Sequence, residues 1–255
     1  MSEQNFDLYR DIAKRTDGDV YIGVVGPVRT GKSTLISRMM EELVLSRMAA
    51  GPRRERLTDE LPQSGSGKTI MTTQPKFVPS EAVSVTLDDQ SSVRVRMVDS
   101  VGYLVEGALG TEEDGASRMV HTPWFDYDVP FEQAAEIGTR KVITDHATIG
   151  LVVTTDGSIA DLSREAYQPP EERVVRELKE IGKPFILILN SRHPEAEETL
   201  ALRQRLSERY GVPALSLNVK EMGLPEIQQV FEEVLYQFPL REIRVSVPGW
   251  LNALD

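Results

Sequence analysis

Cysteine is absent from all 255 residues, and that absence excludes disulfides and every thiolate-based metal or redox centre. A reducing, intracellular setting is the expectation. Histidine is nearly as scarce. His121, His146 and His193 are scattered without ligand spacing, so no metal site built from protein side chains alone is expected. Long apolar runs are missing too: stretches such as Phe185–Leu189 fall far short of the roughly 20 residues a membrane-spanning helix needs, so no direct transmembrane insertion is expected. The opening MSEQNFDLYRD has no apolar signal core, which argues against a secretory signal. Positive charge is in deficit, with 29 Lys and Arg against 40 Asp and Glu, a net charge of −11. Such a surface repels nucleic-acid and lipid phosphates, and nucleic acid is not expected as a partner. The dense basic cluster Arg47, Arg53, Arg54, Arg56 is read as a solvated loop beside a bound nucleotide.

What the chain does contain is an ordinary core's worth of apolar residues, 40%, and one stretch that organises the rest, Gly23 to Thr34. Within it, Gly26 and Gly31-Lys32-Ser33 match the spacing G-x-x-x-x-G-K-S/T of a phosphate-binding loop. The glycines let successive backbone N–H groups turn inward as an anion nest. Lys32 brings a point charge to the β- and γ-phosphates, and the Ser33 hydroxyl can ligate Mg²⁺. The flanking Arg29, Thr30 and Thr34 complete the candidate nucleotide contacts. Arg29 has two readings, a charge supplied in cis to the γ-phosphate or a solvent-facing side chain. Val20–Val25 is a short β-branched run, as a buried parallel strand should be. Leu35, Ile36, Met39, Met40, Leu43 and Val44 then recur at helical spacing. Strand, loop and helix stand in the order that phosphate binding needs.

Residues 1–19 read as a polar lead-in with a short helical pattern, 20–238 as one phosphate-loop domain, and 239–255 as an edge strand opening a further region. Inside the domain, 49–75 is a long Gly-, Ser- and Arg-rich loop of the switch I kind, carrying Thr72 and Thr73 just ahead of a strand pair near Val83–Leu87 and Val93–Val98. A threonine there can complete a Mg²⁺ shell and sense a γ-phosphate. The second strand delivers Asp99-Ser100-Val101-Gly102, with Asp99 suited to ordering Mg²⁺ and the Gly102 N–H to meeting the γ-phosphate. The 99–146 segment is longer than an ordinary link and of the switch II kind. Its aromatics Trp124, Phe125, Tyr127 and Phe131 read as a cap over a core or as a contact surface, and Phe131–His146 as a helix. Regular alternation follows: strand Ile149–Thr155, loop Asp156–Pro170, helix Glu171–Ile181, strand Pro184–Leu189 ending at Asn190, helix Glu195–Tyr210, strand Pro213–Leu217 with Ser216 near its end, and helix Leu224–Phe238. The fold class is α/β, a P-loop NTPase with a mostly parallel sheet, helices on both faces and GTPase-like topology.

Phosphate loop, sensor threonine, Asp-x-x-Gly and strands ending at Asn190 and Ser216 resemble, in that order, the translation-factor-like GTPase class. The class implies Asn-Lys-x-Asp where this chain has Asn190-Ser191-Arg192-His193. A histidine cannot accept guanine's paired hydrogen bonds, a loss on the order of 1–3 kcal/mol, so ATP is the expected nucleotide. Gly26–Thr34, Gly67–Thr73, Asp99–Tyr103 and Thr122-Pro123-Trp124-Phe125 together resemble the stage IV sporulation protein A family. The resemblance implies an N-terminal portion of a spore-coat morphogenetic ATPase, with Lys32, Asp99, Thr72 and Thr73 in the catalytic set and Ser33, Thr73 and Asp99 around Mg²⁺. It further implies ATP-driven homopolymerisation into a basement layer on the mother-cell side of the forespore surface. A small amphipathic membrane-anchoring peptide and other coat proteins would be its partners, through regions outside this chain. Tyr103 stands where a water-orienting glutamine often follows Asp-x-x-Gly; the water is left to a sensor threonine, Arg29, or an acid of Glu112-Glu113-Asp114. A GTPase switch and a nucleotide-stabilised structural module with negligible turnover are the alternatives.

Overall fold

The computed structural model describes residues 19–62, 75–88, 91–108, 110, 112–113 and 115–237. The expected lead-in helix, the expected edge strand after 238, and Thr72 and Thr73 lie outside the described residues. The strands among the described residues are β1 (Asp19–Val25), β2 (Lys76–Asp88), β3 (Ser91–Asp99), β4 (Glu112–Glu113), β5 (Ala116–Ser117), β6 (Met119–Val120), β7 (Val129–Pro130), β8 (Ile149–Thr155), β9 (Phe185–Asn190) and β10 (Ala214–Leu217). The α-helices among the described residues are α1 (Lys32–Leu43), α2 (Pro52–Glu60), α3 (Phe131–Lys141), α4 (Arg164–Ile181), α5 (Glu197–Tyr210) and α6 (Leu224–Tyr236).

Six strands form one sheet in the order β10-β9-β8-β1-β3-β2, parallel except for β2, which runs antiparallel to β3. Side chains alternate across it, because a strand's Cβ atoms point to opposite faces in turn. On one face Ile22, Val24, Leu151, Val153 and Ile188 meet Leu35, Ile36 and Met39 of α1 and Ile227, Val230 and Phe231 of α6. On the other Val152, Leu187 and Leu189 meet Val174 and Leu178 of α4 and Leu206 and Tyr210 of α5. Strands β8 and β9 are buried along their whole length, which is why they read as unbroken apolar runs. The expected α/β fold, with helices on both faces of a mostly parallel sheet, is the observed one.

Four local features differ from the sequence reading. The 49–75 segment contains a helix, α2, entered through Gly51 with Pro52 at its first position. Only Leu57 of α2 is buried, so no apolar periodicity announced it, and Arg53, Arg54 and Arg56 are its exposed side chains. Strand β2 starts at Lys76, seven residues ahead of the expected Val83, with a register shift between Val78 and Val83. Helix α4 starts at Arg164 and takes in Pro169 and Pro170, instead of opening after them. Its first two turns carry the buried Tyr167 and an ion pair from Arg164 to Glu171, and the two prolines remove two backbone donors within it. Finally, α3 closes in a π turn over Val142–His146, packed so tightly on β1 that a Cβ at Gly23 would lie 2.6 Å from that of Ala147.

A third cluster gathers residues that follow the C-terminal ends of β1 and β3. Val28, Val101, Val105, Val129, Phe131, Ala134 and Tyr167 pack together, so the 101–131 segment is anchored to α3 and the start of α4. Phe131 is buried, Phe125 packs against this cluster, Trp124 lies over Gly138, and Tyr127 is 63% exposed. The aromatics are mainly a cap.

Candidate functional site

The C-terminal ends of β1, β3, β8 and β9 converge on the loop between β1 and α1. The chain leaves β1 for β3 on one side and returns for β8 on the other, so the loop occupies a topological switch point, where open α/β sheets bind ligands. Gly26 has φ +137, and a Cβ there would sit 2.2 Å from Val153 O; only glycine lets the loop pass this close to β8. Gly31, with φ +94, caps α1, and no side chain caps that helix end. The first turn of α1 brings the positive end of the helix dipole to the loop.

Lys32, only 5% exposed, donates from Nζ to Pro27 O at 2.7 Å. Burial pushes its pKa down to about 8, against the opposing pull of the Asp99 charge. A buried ammonium held beside backbone carbonyls gains most from an incoming anion. Thr30, fully buried, also donates to Pro27 O. Ser33 Oγ donates to Asp99 Oδ2 at 2.8 Å, bringing together two residues 66 apart in sequence. Burial raises the Asp99 carboxyl pKa, opposed by the Ser33 hydrogen bond and by the Lys32 and Lys76 charges. Its second oxygen, Oδ1, is buried with no hydrogen-bond partner among the described residues. An orphaned carboxylate oxygen next to a serine hydroxyl is a hard-oxygen donor set that fits Mg²⁺ shared with phosphate. Among the described residues there is no cluster of three or more His, Cys, Asp or Glu that could hold a metal.

The structure brings Asn190 into the same site. Its Nδ2 donates to Thr30 O at 2.9 Å and its Oδ1 accepts from the Val219 N–H at 3.2 Å, so one buried amide ties the phosphate loop to the segment after β10. Ser216 is placed otherwise: it stands within β10, in register with Leu189, and Val219 is the residue that meets Asn190. Gly102 lies over Lys32, where a Cβ would be 2.5 Å from Nζ. Thr34, half-buried, lies in the first turn of α1. Arg29 has φ +62, and its charge acts on the Tyr167 phenol, partly offsetting the upward push of burial. Thr72 and Thr73 fall outside the described residues.

The Tyr103 side chain is directed at α4. It is 2% exposed, its hydroxyl donates to Glu177 of α4, and the Arg173 guanidinium lies 4.6 Å above its ring; burial first and Glu177 next drive its pKa upward. Its backbone is bound to the loop itself, N–H to Gly26 O and O to the Val28 N–H. Three further groups escaped the sequence reading. Asp156 accepts from the Ser158 N–H and hydroxyl and from the Ser191 hydroxyl; Thr-Thr-Asp-Gly-Ser after a buried strand was its available signal. The ion pair of Arg164 and Glu171, and Thr139, which accepts the Gly102 N–H, had none.

The comparisons with known proteins agree with this geometry. The model for the ATPase domain of stage IV sporulation protein A matches residues 3–239. The chain is 56% identical over 251 residues to stage IV sporulation protein A of Clostridioides difficile (strain 630) and 52% identical over 251 residues to that of Bacillus subtilis (strain 168). Each match covers 98% of this chain and 51% of the relative, so the chain spans about half the length of these curated relatives. A solved structure of the SsGBP and GDP complex overlays with a TM-score of 0.45 and 13% identity, over 86% of this chain and 49% of that one. By the domain-model match over residues 3–239 and its identity to the sporulation proteins, the chain belongs to the stage IV sporulation protein A family.

Proposed function

We propose that the chain binds ATP with Mg²⁺ at the Gly26–Thr34 loop and hydrolyses it slowly. The observation that carries this reading is the arrangement at the mouth of the loop: a buried Lys32, the Ser33 hydroxyl on Asp99, and an Asp99 oxygen left without a partner. Ser33 and Asp99 would hold the metal, with Thr73 as a further candidate, and the metal would supply charge neutralisation at the β- and γ-phosphates. Lys32 holds the phosphates and the N-terminus of α1 adds its dipole. Thr72, Thr73 and the Gly102 N–H are the proposed sensors of the terminal phosphate. Adenine is preferred because His193 replaces the acid that would accept from guanine. The ATPase-domain match supports the same choice.

On the strength of the family relationship, the longer protein would use hydrolysis to drive its own assembly into the basement layer of the spore coat, on the mother-cell side of the forespore surface. Recruitment by a small amphipathic peptide and contacts with other coat proteins fall to parts of the relatives this chain does not span. A second reading, a nucleotide-stabilised structural module, is favoured by one observation: Tyr103, at the position where a water-orienting glutamine often follows Asp-x-x-Gly, is buried with its hydroxyl on Glu177.

Phosphate release from wild-type, Lys32→Ala and Asp99→Asn proteins, with parallel ATP and GTP titrations, tests both. Release only from the wild type is expected, with GTP bound some 5- to 150-fold more weakly. Equal background rates in all three would leave the structural module; tighter GTP binding would restore the GTPase switch.

A further inference from the structure

The Gly102 N–H, the group expected to meet a terminal phosphate, already has a partner. It donates to Thr139 Oγ1 at 3.0 Å, and both residues are buried. Thr139 lies in the last turn of α3, just ahead of the π turn that packs on β1. The amide is nonetheless at the phosphate loop: a Cβ on Gly102 would lie 2.4 Å from Gly26 O and 2.5 Å from Lys32 Nζ. Its position is held from the next residue, because Tyr103 exchanges two backbone hydrogen bonds with Gly26 and Val28 and buries its ring beneath Arg173. Gly102 cannot drift away from the loop, yet its peptide can turn. Rotation about the Val101 ψ and Gly102 φ angles re-aims one N–H and leaves the Tyr103 bonds in place. Gly102 stands at φ +93, and without a Cβ it changes φ at little steric cost.

We propose that Thr139 is a positioning residue for recognition of the terminal phosphate. Its hydroxyl holds the Gly102 N–H in the absence of a terminal phosphate, and a nucleoside triphosphate, but not a diphosphate, takes that N–H over. The exchange is favourable because a charged phosphate oxygen is a stronger acceptor than a hydroxyl. Thr139 thereby sets how strongly the site distinguishes ATP from ADP, and it links that choice to α3 and its π turn. The proposal rests on the reading that the loop binds ATP.

Calorimetric Kd values for a non-hydrolysable ATP analogue and for ADP, with wild-type, Thr139→Val, Thr139→Ser and Lys32→Ala chains, test it. Thr139→Val leaves the Gly102 N–H without its acceptor in the empty and ADP-bound forms. It should therefore tighten the analogue about 2- to 10-fold, the range set by one hydrogen bond, with ADP unchanged. Thr139→Ser, which keeps the acceptor, should restore the wild-type ratio. In the wild-type chain labelled with ¹⁵N-glycine, the Gly102 amide resonance should move with the analogue and stay in place with ADP. An unchanged analogue-to-ADP ratio in Thr139→Val, or the same Gly102 shift with both nucleotides, overturns the proposal while ATP binding stands. If Thr139→Val fails to fold, the Gly102 resonance decides alone. Absence of nucleotide binding, or binding that survives Lys32→Ala, overturns the ATP reading and this proposal with it.

Discussion

Asp156 shows how single residues around the cradle earn their state from neighbours. Burial acts to raise its carboxyl pKa, but the Ser158 and Ser191 hydroxyls and the Ser158 N–H outweigh that and hold it below 3.8. A depressed carboxyl contributes stability that is present above its ordinary value and lost as pH falls through the folded one. Asp156→Asn should therefore be less stable than wild type near neutral pH, with the gap closing below about pH 4. Urea midpoints at several pH values check this; a gap that stays constant would mean the charge plays no part. At the same scale, Lys32, Ser33 and Asp99 were readable as candidates because they stand in short local patterns, the phosphate-loop spacing and the strand-end Asp-x-x-Gly. Tyr103 was not, because its burial depends on Glu177, 74 residues away.

Among elements, α4 departs most from its sequence reading, and its buried ion pair explains why. Glu171 is fully buried, paired with Arg164 at 2.8 Å and accepting hydrogen bonds from the Tyr210 and Thr154 hydroxyls. Glu171→Ala would strand the Arg164 charge and is expected to cost about 3–5 kcal/mol, whereas the double change Arg164→Met, Glu171→Leu should recover most of that loss. Chemical denaturation of the two variants and the wild type measures the difference; equal losses would show that the ion pair does not hold this helix. The pair sits seven residues apart, two turns along one helix face, and joins α4 to α5 and β8. A proline pair read in isolation marks a helix start; with Tyr167 and Arg164 already committed to packing, it is carried inside the helix. In α2, where only Leu57 is buried, nothing periodic existed to be read.

For the whole molecule, a ligand that binds only the folded chain stabilises it by mass action. At one hundred times its Kd, Mg-ATP should add about 2.7 kcal/mol, a rise in Tm of about 5–11 °C at this chain length. Lys32→Ala should show no rise, and GTP at the same concentration a smaller one; a rise that survives Lys32→Ala would place the nucleotide elsewhere. The order of sheet and helices was legible because β8 and β9 are buried throughout and largely apolar and α1 and α6 are amphipathic, and burial alone imposes those patterns. By itself the sequence determined the phosphate loop, the strands that frame it and the family, since those depend on short spacings and residue chemistry. Tertiary structure alone decided the rest: that Asn190 ties Thr30 to Val219, that the Tyr103 side chain packs on α4, and that Thr139 holds the Gly102 N–H. Each of those contacts joins residues far apart in the chain, and only packing determines which distant side chain fills the space beside a buried polar group.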